Sequence, residues 1–445
     1  MELEVVNPQC AGIDVGSRSH FVAIGQDLND VKEFGVYADD LTAICQWLKE
    51  NKITSVAMES TGSYWQNLYV ELLKDGFELV LTNGKFTKQS HGKKTDVKDC
   101  QWIQKLHSLG LLSSSFLPDE DTEQLRTYCR QRTNLLSLAA ETSSKMQKYL
   151  KLLNFRLDVV VNDICGFTGL AIIADICNGN HDPQKLAEHR HYNCRKSKEE
   201  IAKALKGNNR KDYLFGLKQE YESYLFFQSK IADCDKQIEL FMKTEIGIDS
   251  NKKKLKTSNK KHKKANKNAP DFDLNQLAFQ YFGGTDFMAV EGVSHATILT
   301  LISEVGPDGF KKFPTAKHFT SWLRLAPNNR ISGGRVLSSR TPKGSNRLKI
   351  GLRQAANAIG NLKGTHLSDF FRRIAFRKGR AAAISATARK LAIIFWNMQV
   401  KKIPYMPPSE YLFLEQKRHL KLVTRIRKQV SKLNITPEEL GFSTN

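Results

Sequence analysis

A chain of 445 residues is long enough to bury a full core and to hold two or three domains. With 40% hydrophobic and 26% charged residues it falls among globular rather than disordered chains. Lysine and arginine total 68 against 46 acidic residues, and the formal net charge of +22 points to a polyanionic partner, either nucleic acid or an anionic membrane. Membrane is the weaker option, because the most apolar stretch, Leu391 to Trp396, is far shorter than the roughly 18 residues needed to span a bilayer. The N-terminus, MELEVVNPQC, lacks a basic segment followed by an apolar one, so no secretory signal is expected. The eight cysteines are scattered from Cys10 to Cys234 without a CxxC pair, the pattern of reduced thiols in a cytosolic compartment. EHRHYNC gathers His189, His191 and Cys194, but no second ligand cluster accompanies it, and a solvated polar run is the better reading.

Taken in chain order, the first ~110 residues alternate short apolar runs with helical patterns. Cys10 to Val15, His20 to Ile24 and Val31 to Tyr37 read as strands, Leu41 to Lys49 as a helix, and Ile53 to Met58 as a strand. Ser63 to Lys74 is expected to be helical and Phe77 to Leu81 a fifth strand; a basic loop, NGKFTKQSHGKKT, leads to a helix near Asp96. The order β-β-β-α-β-α-β-α is that of an α/β ribonuclease H-like (RuvC-like) fold, expected over residues 1–118. From Leu125 the pattern turns heptad-like, with Leu125, Tyr128, Leu135, Ala139, Met146, Tyr149 and Leu153 on one stripe. Leu217, Tyr221, Tyr224, Ile231 and Ile238 form another. Two such helices predict an antiparallel coiled-coil arm or dimerisation element, or else two ordinary core-facing helices, within a helical region 119–245. Residues 155–207 read as an insertion. NKKKLKTSNKKHKKANKNAP is almost free of apolar residues and marks a lysine-rich linker, 246–272, whose charge serves either as a solvated spacer or as a phosphate contact. A mainly α-helical domain is expected over 273–400, in which EGVSHATILTLISEVG has the look of a helix-hairpin-helix. The tail, 401–445, reads as peripheral.

Four carboxylates carry the chemistry. Asp14 sits in AGIDVG between apolar neighbours, where a buried carboxylate is costly without a cation. Glu59 ends the strand SVAMES, and Asp96 and Asp99, three apart at a helix start, share one face. In a ribonuclease H-like sheet these places converge, and crowded acids with oxygen donors suit magnesium or manganese in phosphodiester cleavage. The bland alternatives are a helix N-cap role for Asp96 and a turn role for Asp14. Lys93, Lys94 and Lys98 beside the acids are natural neighbours for a phosphate.

GIDVG, ESTGSYW, KKTDVKDCQWIQKLHSLGLL, FLP and LRTYCRQRTNL together resemble the DEDD transposases of the insertion-sequence one-ten family. VEGVSHATILTLISEVG, LRLAPNNRISGGR, KGSNRLKIGLRQAA and AISATARKLAIIFW resemble that family's second domain. The resemblance implies a RuvC-like domain holding magnesium through Asp14, Glu59, Asp96 and Asp99. It also implies a transposase domain whose serine nucleophile is Ser332 in ISGGR; Arg335 and Arg347 are candidate nucleic-acid contacts. On its own Ser-Gly-Gly reads as a turn, and Ser338, Ser339 and Ser345 lie nearby. Further implications are a bridge RNA that pairs with double-stranded donor and target DNA, a homo-oligomer (dimer or tetramer) and a cytoplasmic, nucleoid-associated location. The chain departs from the family pattern at Cys100, where alanine is usual, at Glu291 and Ser294 in the hairpin, and at Arg324, where glycine commonly precedes the loop leucine. Two other functions compete: a Holliday-junction-type metal nuclease that uses water, and a non-catalytic nucleic-acid scaffold.

Overall fold

Alternation along the first strand decides how the N-terminal sheet is dressed. In β1 (Cys10–Val15), Ala11, Ile13 and Val15 enter one core, so Cys10, Gly12 and Asp14 face the other way. The computed structural model describes residues 4–87, 95–247, 267–344, 346–407 and 411–433. The chain divides into two units, Met1–Leu117 and Pro118–Asn445.

The first unit continues through β2 (His20–Ala23), β3 (Val31–Phe34), α1 (Ala38–Glu50), β4 (Ser55–Glu59), α2 (Trp65–Lys74), β5 (Glu78–Thr82), α3 (Gly84–Thr87) and α4 (Asp96–Ser108). Its five strands stand in the order β3-β2-β1-β4-β5. The β1–β2 and β2–β3 pairs are antiparallel, whereas β1–β4 and β4–β5 are parallel. This is the mixed sheet with helices that the sequence order predicts. Ile44 and Leu48 of α1 and Leu68 and Leu72 of α2 bury the face carrying Ile13, Val56 and Met58. The opposite face belongs to α4, whose Cys100, Ile103, Gln104 and His107 are buried. Gly12 is what lets α4 in: a Cβ there would lie 2.1 Å from the Gln104 backbone nitrogen. One boundary moves for an electrostatic reason. α1 begins at Ala38 rather than Leu41, because Asp39 and Asp40 favour a helix N-terminus and the Asp40 carboxylate accepts from the Tyr37 amide at 3.0 Å.

The second unit opens on α5 (Glu120–Leu152), followed by the insertion helices α6 (Leu157–Val160), α7 (Phe167–Cys177), α8 (Pro183–Ala187) and α9 (Lys198–Ala204), and then α10 (Lys211–Ile246). The long helices run antiparallel, since Arg132 meets Asp235 while Lys145 meets Glu220. The expected stripes are turned inward at Leu125, Leu135, Ala139, Met146 and Leu153 and at Leu217, Tyr224, Ile231 and Ile238. Tyr128, Tyr149 and Tyr221 are only half-buried. The insertion sends Leu157, Ile172, Ile173, Leu186 and Ile201 into the same core, so much of the stripe is covered from within the chain. The helix pair also holds a buried ion pair, Arg132 Nε to Asp235 Oδ1 at 2.5 Å. Arg132 further donates to the Asn268 carbonyl at 3.1 Å, and the Asp271 amide donates to Asp235 at 3.3 Å.

The remainder is α11 (Leu274–Tyr281), α12 (His295–Glu304), α13 (Gly306–Gly309), α14 (Ala316–Trp322), the hairpin β6 (Arg330–Ser332) and β7 (Arg335–Ser338), α15 (Arg347–Asn361), α16 (His366–Lys378), α17 (Arg380–Val400) and α18 (Tyr411–Leu433). α17 is its centre. Its Phe395 ring lies 4.9 Å from that of Phe287, and the Trp396 indole donates to the Phe313 carbonyl at 3.1 Å. The tail contains the 23-residue helix α18. Among the described residues, no helix is long and apolar enough to cross a membrane.

Candidate functional site

Strand periodicity sets the four acids. Cys10 pairs with Ser55 and Gly12 with Ala57 in parallel register, so the next alternate positions, Asp14 and Glu59, lie at neighbouring strand ends on one face. That face is the one α4 covers, as the 2.7 Å contact between Ser55 Oγ and His107 Nε2 shows. On α4, Asp96 and Asp99 belong to the first turn, one turn before the buried Cys100 and Ile103 stripe. Thr95 is the N-cap, with its hydroxyl accepting from the Lys98 amide at 3.3 Å, so Asp96 is relieved of the capping role. The Cys100 thiol is pushed up to about 12, first by burial and then by the negative charge of Asp14 and Asp99. Both carboxylates therefore bear on one buried sulfur. Cys100 fills this place with 0% exposure.

Glu59 is held rather than loose. Thr61 donates to its Oε1 at 3.1 Å and Thr87 to its Oε2 at 2.5 Å. Gly84 leaves it room, since a Cβ there would sit 2.5 Å from Oε1. Asp14, Glu59 and Asp99 are half-buried and Asp96 is exposed. Among the described residues, no three His, Cys, Asp or Glu side chains are gathered closely enough to form a ready metal cage. Lys98 is exposed on the same turn, and Lys93 and Lys94 lie outside the described residues.

Ser332 is the last residue of β6 and pairs directly with Arg335. The two residues between them, Gly333 and Gly334, have φ of +53° and +75°, the left-handed pair that a two-residue hairpin turn requires. A Cβ on either glycine would meet nothing within 4 Å, so the backbone conformation alone demands them. Directly opposed residues carry their side chains on one face, about 5 Å apart at Cβ. A hydroxyl and a guanidinium thus stand side by side, both exposed. Ser338 ends β7, Ser339 follows it, and Ser345 lies outside the described residues. Arg347 is exposed in the first turn of α15. Arg324 has φ +53°, which explains why glycine suits its place. Its guanidinium recovers part of the cost by donating to the Lys343 carbonyl at 2.6 Å.

A family model described as Transposase matches residues 11–155, and one described as Transposase IS116/IS110/IS902 family matches residues 285–372. The chain is a DNA transposase. No curated protein matches it. The first match spans the transposase's four acids and the second spans Ser332 and its hairpin.

Elsewhere in the transposase, the EHRHYNC residues go separate ways. His189 bonds Asp175 at 2.8 Å, His191 packs its ring on Tyr192, and Cys194 donates to the Val160 carbonyl. Gly292, in the segment resembling a helix-hairpin-helix, has a packing reason: a Cβ there would lie 2.6 Å from the Ala355 carbonyl of α15. Sequence reasoning missed Thr87, whose only signal was its place just after the strand that pairs with β4. It also missed the bidentate Arg130–Glu304 pair, 3.0 and 2.9 Å, which joins α5 to α12. No local pattern announces a contact across 174 residues.

Proposed function

We propose that this transposase cuts and rejoins DNA with Ser332 as nucleophile, and that Asp14, Glu59, Asp96 and Asp99 hold a divalent cation, magnesium or manganese. The observation that carries the metal half is the shared face: Asp14 and Glu59 end adjacent parallel strands under the helix that brings Asp99 beside Cys100. The donor set fits a hard cation, being entirely oxygen. Bound there, the ion would neutralise negative charge on the phosphodiester. Thr61 and Thr87 orient the Glu59 carboxylate and keep its oxygens aimed.

On the hairpin, Arg335 would steady a non-bridging phosphate oxygen while the Ser332 hydroxyl attacks phosphorus. The Oγ–P bond forms as the hydroxyl proton leaves to solvent. The P–O bond to one deoxyribose breaks, and the departing oxygen takes up a proton. Attack by a deoxyribose hydroxyl on the phosphoserine reverses these changes, so the strand is rejoined without an external energy source. The exposed hairpin supports this reading because a duplex can reach it.

The surplus of +22 and the exposed basic residues support a nucleic-acid partner beyond DNA, which we read as a bridge RNA pairing with donor and target. Strand exchange needs more than one active site, hence a dimer or tetramer, working in the cytoplasm on the nucleoid. Within the second unit we assign 119–245 to the helical arm, 246–272 to the linker, 273–400 to the serine domain and 401–445 to the tail.

The test is a denaturation-resistant protein–DNA adduct formed by full-length protein with its copurified RNA and Mn2+. Wild type should form it, Ser332→Ala should not, and Asp99→Asn should lose it with the fold intact. An adduct in Ser332→Ala would sink the serine assignment, and metal-dependent cleavage without an adduct would make the enzyme a water-using nuclease. Sequencing the copurified RNA should return one structured species; random fragments would overturn guidance.

A further inference from the structure

The loop that leads from the hairpin into α15 is gripped by cations with no acid among them. Arg324 donates to the Lys343 carbonyl at 2.6 Å. Lys349 reaches the carbonyls of Pro342 and Gly344 at 3.4 and 3.5 Å, both long for an ammonium. Arg353 follows Lys349 by four residues on α15 and donates to Ser385 Oγ at 2.8 Å. Like charges at this spacing destabilise a helix, and Lys349 is only 9% exposed, where an ammonium is costly. Among the described residues, none of the three makes an ion pair with a carboxylate. Burial, then Arg353, then Arg324 hold the Lys349 amine below the usual lysine range. Structural pinning of the loop accounts for the bonds from Arg324 and Lys349 to its carbonyls, but it leaves their nearness to Arg353 uncompensated.

We propose that Arg324, Lys349 and Arg353 form a phosphate pocket at the foot of the β6–β7 hairpin that grips one backbone phosphodiester of a bound nucleic acid. Two guanidinium groups and an ammonium supply donors that suit a tetrahedral oxyanion, whose charge would offset their mutual repulsion. The hairpin base is tied at this level, where the Asn328 amide donates to the Arg340 carbonyl at 3.0 Å. A phosphate held here would anchor the strand that the hairpin addresses. The pocket rests on the chain being a DNA transposase, and not on Ser332 being its nucleophile.

Two measurements on the full-length protein test it. Inorganic phosphate should raise the wild-type Tm above that in chloride of equal ionic strength. Lys349→Gln and the half-buried Arg353→Gln should each lose that gain, while Lys349→Arg keeps most of it. Binding of duplex DNA, single-stranded DNA and the copurified RNA should then be followed against salt. Losing one phosphate contact should reduce the slope of log K against log salt by about 0.9 for duplex or about 0.7 for a single strand, so the nucleic acid that responds identifies the source of the phosphate. Equal phosphate gains in wild type and both glutamine variants would overturn the pocket, as would unchanged slopes for all three nucleic acids. A lost slope in a protein whose wild type forms no adduct would remove the serine reading and leave the pocket standing. Arg324→Gln is a further arm, should Lys349→Gln fail to fold.

Discussion

The acidic face of the first unit and the hairpin carrying Ser332 in the second hold the groups proposed as reactive by opposite means. Asp14 and Glu59 end strands packed on both faces, between the α1–α2 layer and α4, so a core fixes their spacing. Ser332 stands on a two-stranded ribbon whose β6 residues are all exposed, and only a two-glycine turn sets its neighbour. Packing can hold charges that repel one another; a bare hairpin cannot, but it can be reached by a thick double helix. The acids were given rigidity and the serine access.

That contrast can be broken most forcefully at Gly12. Gly12→Ala drives a Cβ into the α4 backbone and should cost on the order of 3 kcal/mol of stability, read by urea denaturation, together with loss of Mn2+ binding. A normal midpoint would mean that α4 is not seated as described. The hairpin should behave in the other way: Gly333→Val with Gly334→Val strains the turn and should reduce adduct yield at least tenfold while Tm moves by less than about 2 °C, since the ribbon that opens holds no buried side chain of β6. A large fall in Tm would show that the ribbon is part of a core after all. Within the acid set, Asp99→Asn should weaken Mn2+ binding more than Asp96→Asn, because Asp99 is half-buried against Cys100 and Asp96 is exposed; equal losses would put both on the same footing. The smallest effect belongs to Thr87→Val, which should weaken Mn2+ binding by about tenfold through loss of Glu59 orientation. Unchanged affinity would remove Thr87 from the site.

The fold of the first unit was legible because its signals are local. Ile13, Val56 and Met58 alternate with polar or small residues, and α4 begins at Asp96 behind the Thr95 cap. The places of Asp14 and Glu59 followed from the same period of two. The second unit was less open to reading. Asp235 lies in a helix rich in charges, and only the buried Arg132 of a distant helix distinguishes it from its solvated neighbours. Residues 155–207 hid their helices because those helices are short and are completed by the long pair, not by their own pattern. Arg324 was marked only as a departure from a glycine, and its left-handed backbone needed coordinates to be seen.

Arg132 and Asp235 also decide where the C-terminal half begins. Asn268 and Asp271 are tied to this pair, which lies in the interior of α5 and α10. The starting point of everything after them is therefore set by that clamp and not by the number of residues since Gly247. α11 and the helices beyond it take their place from α5 and α10 through this clamp.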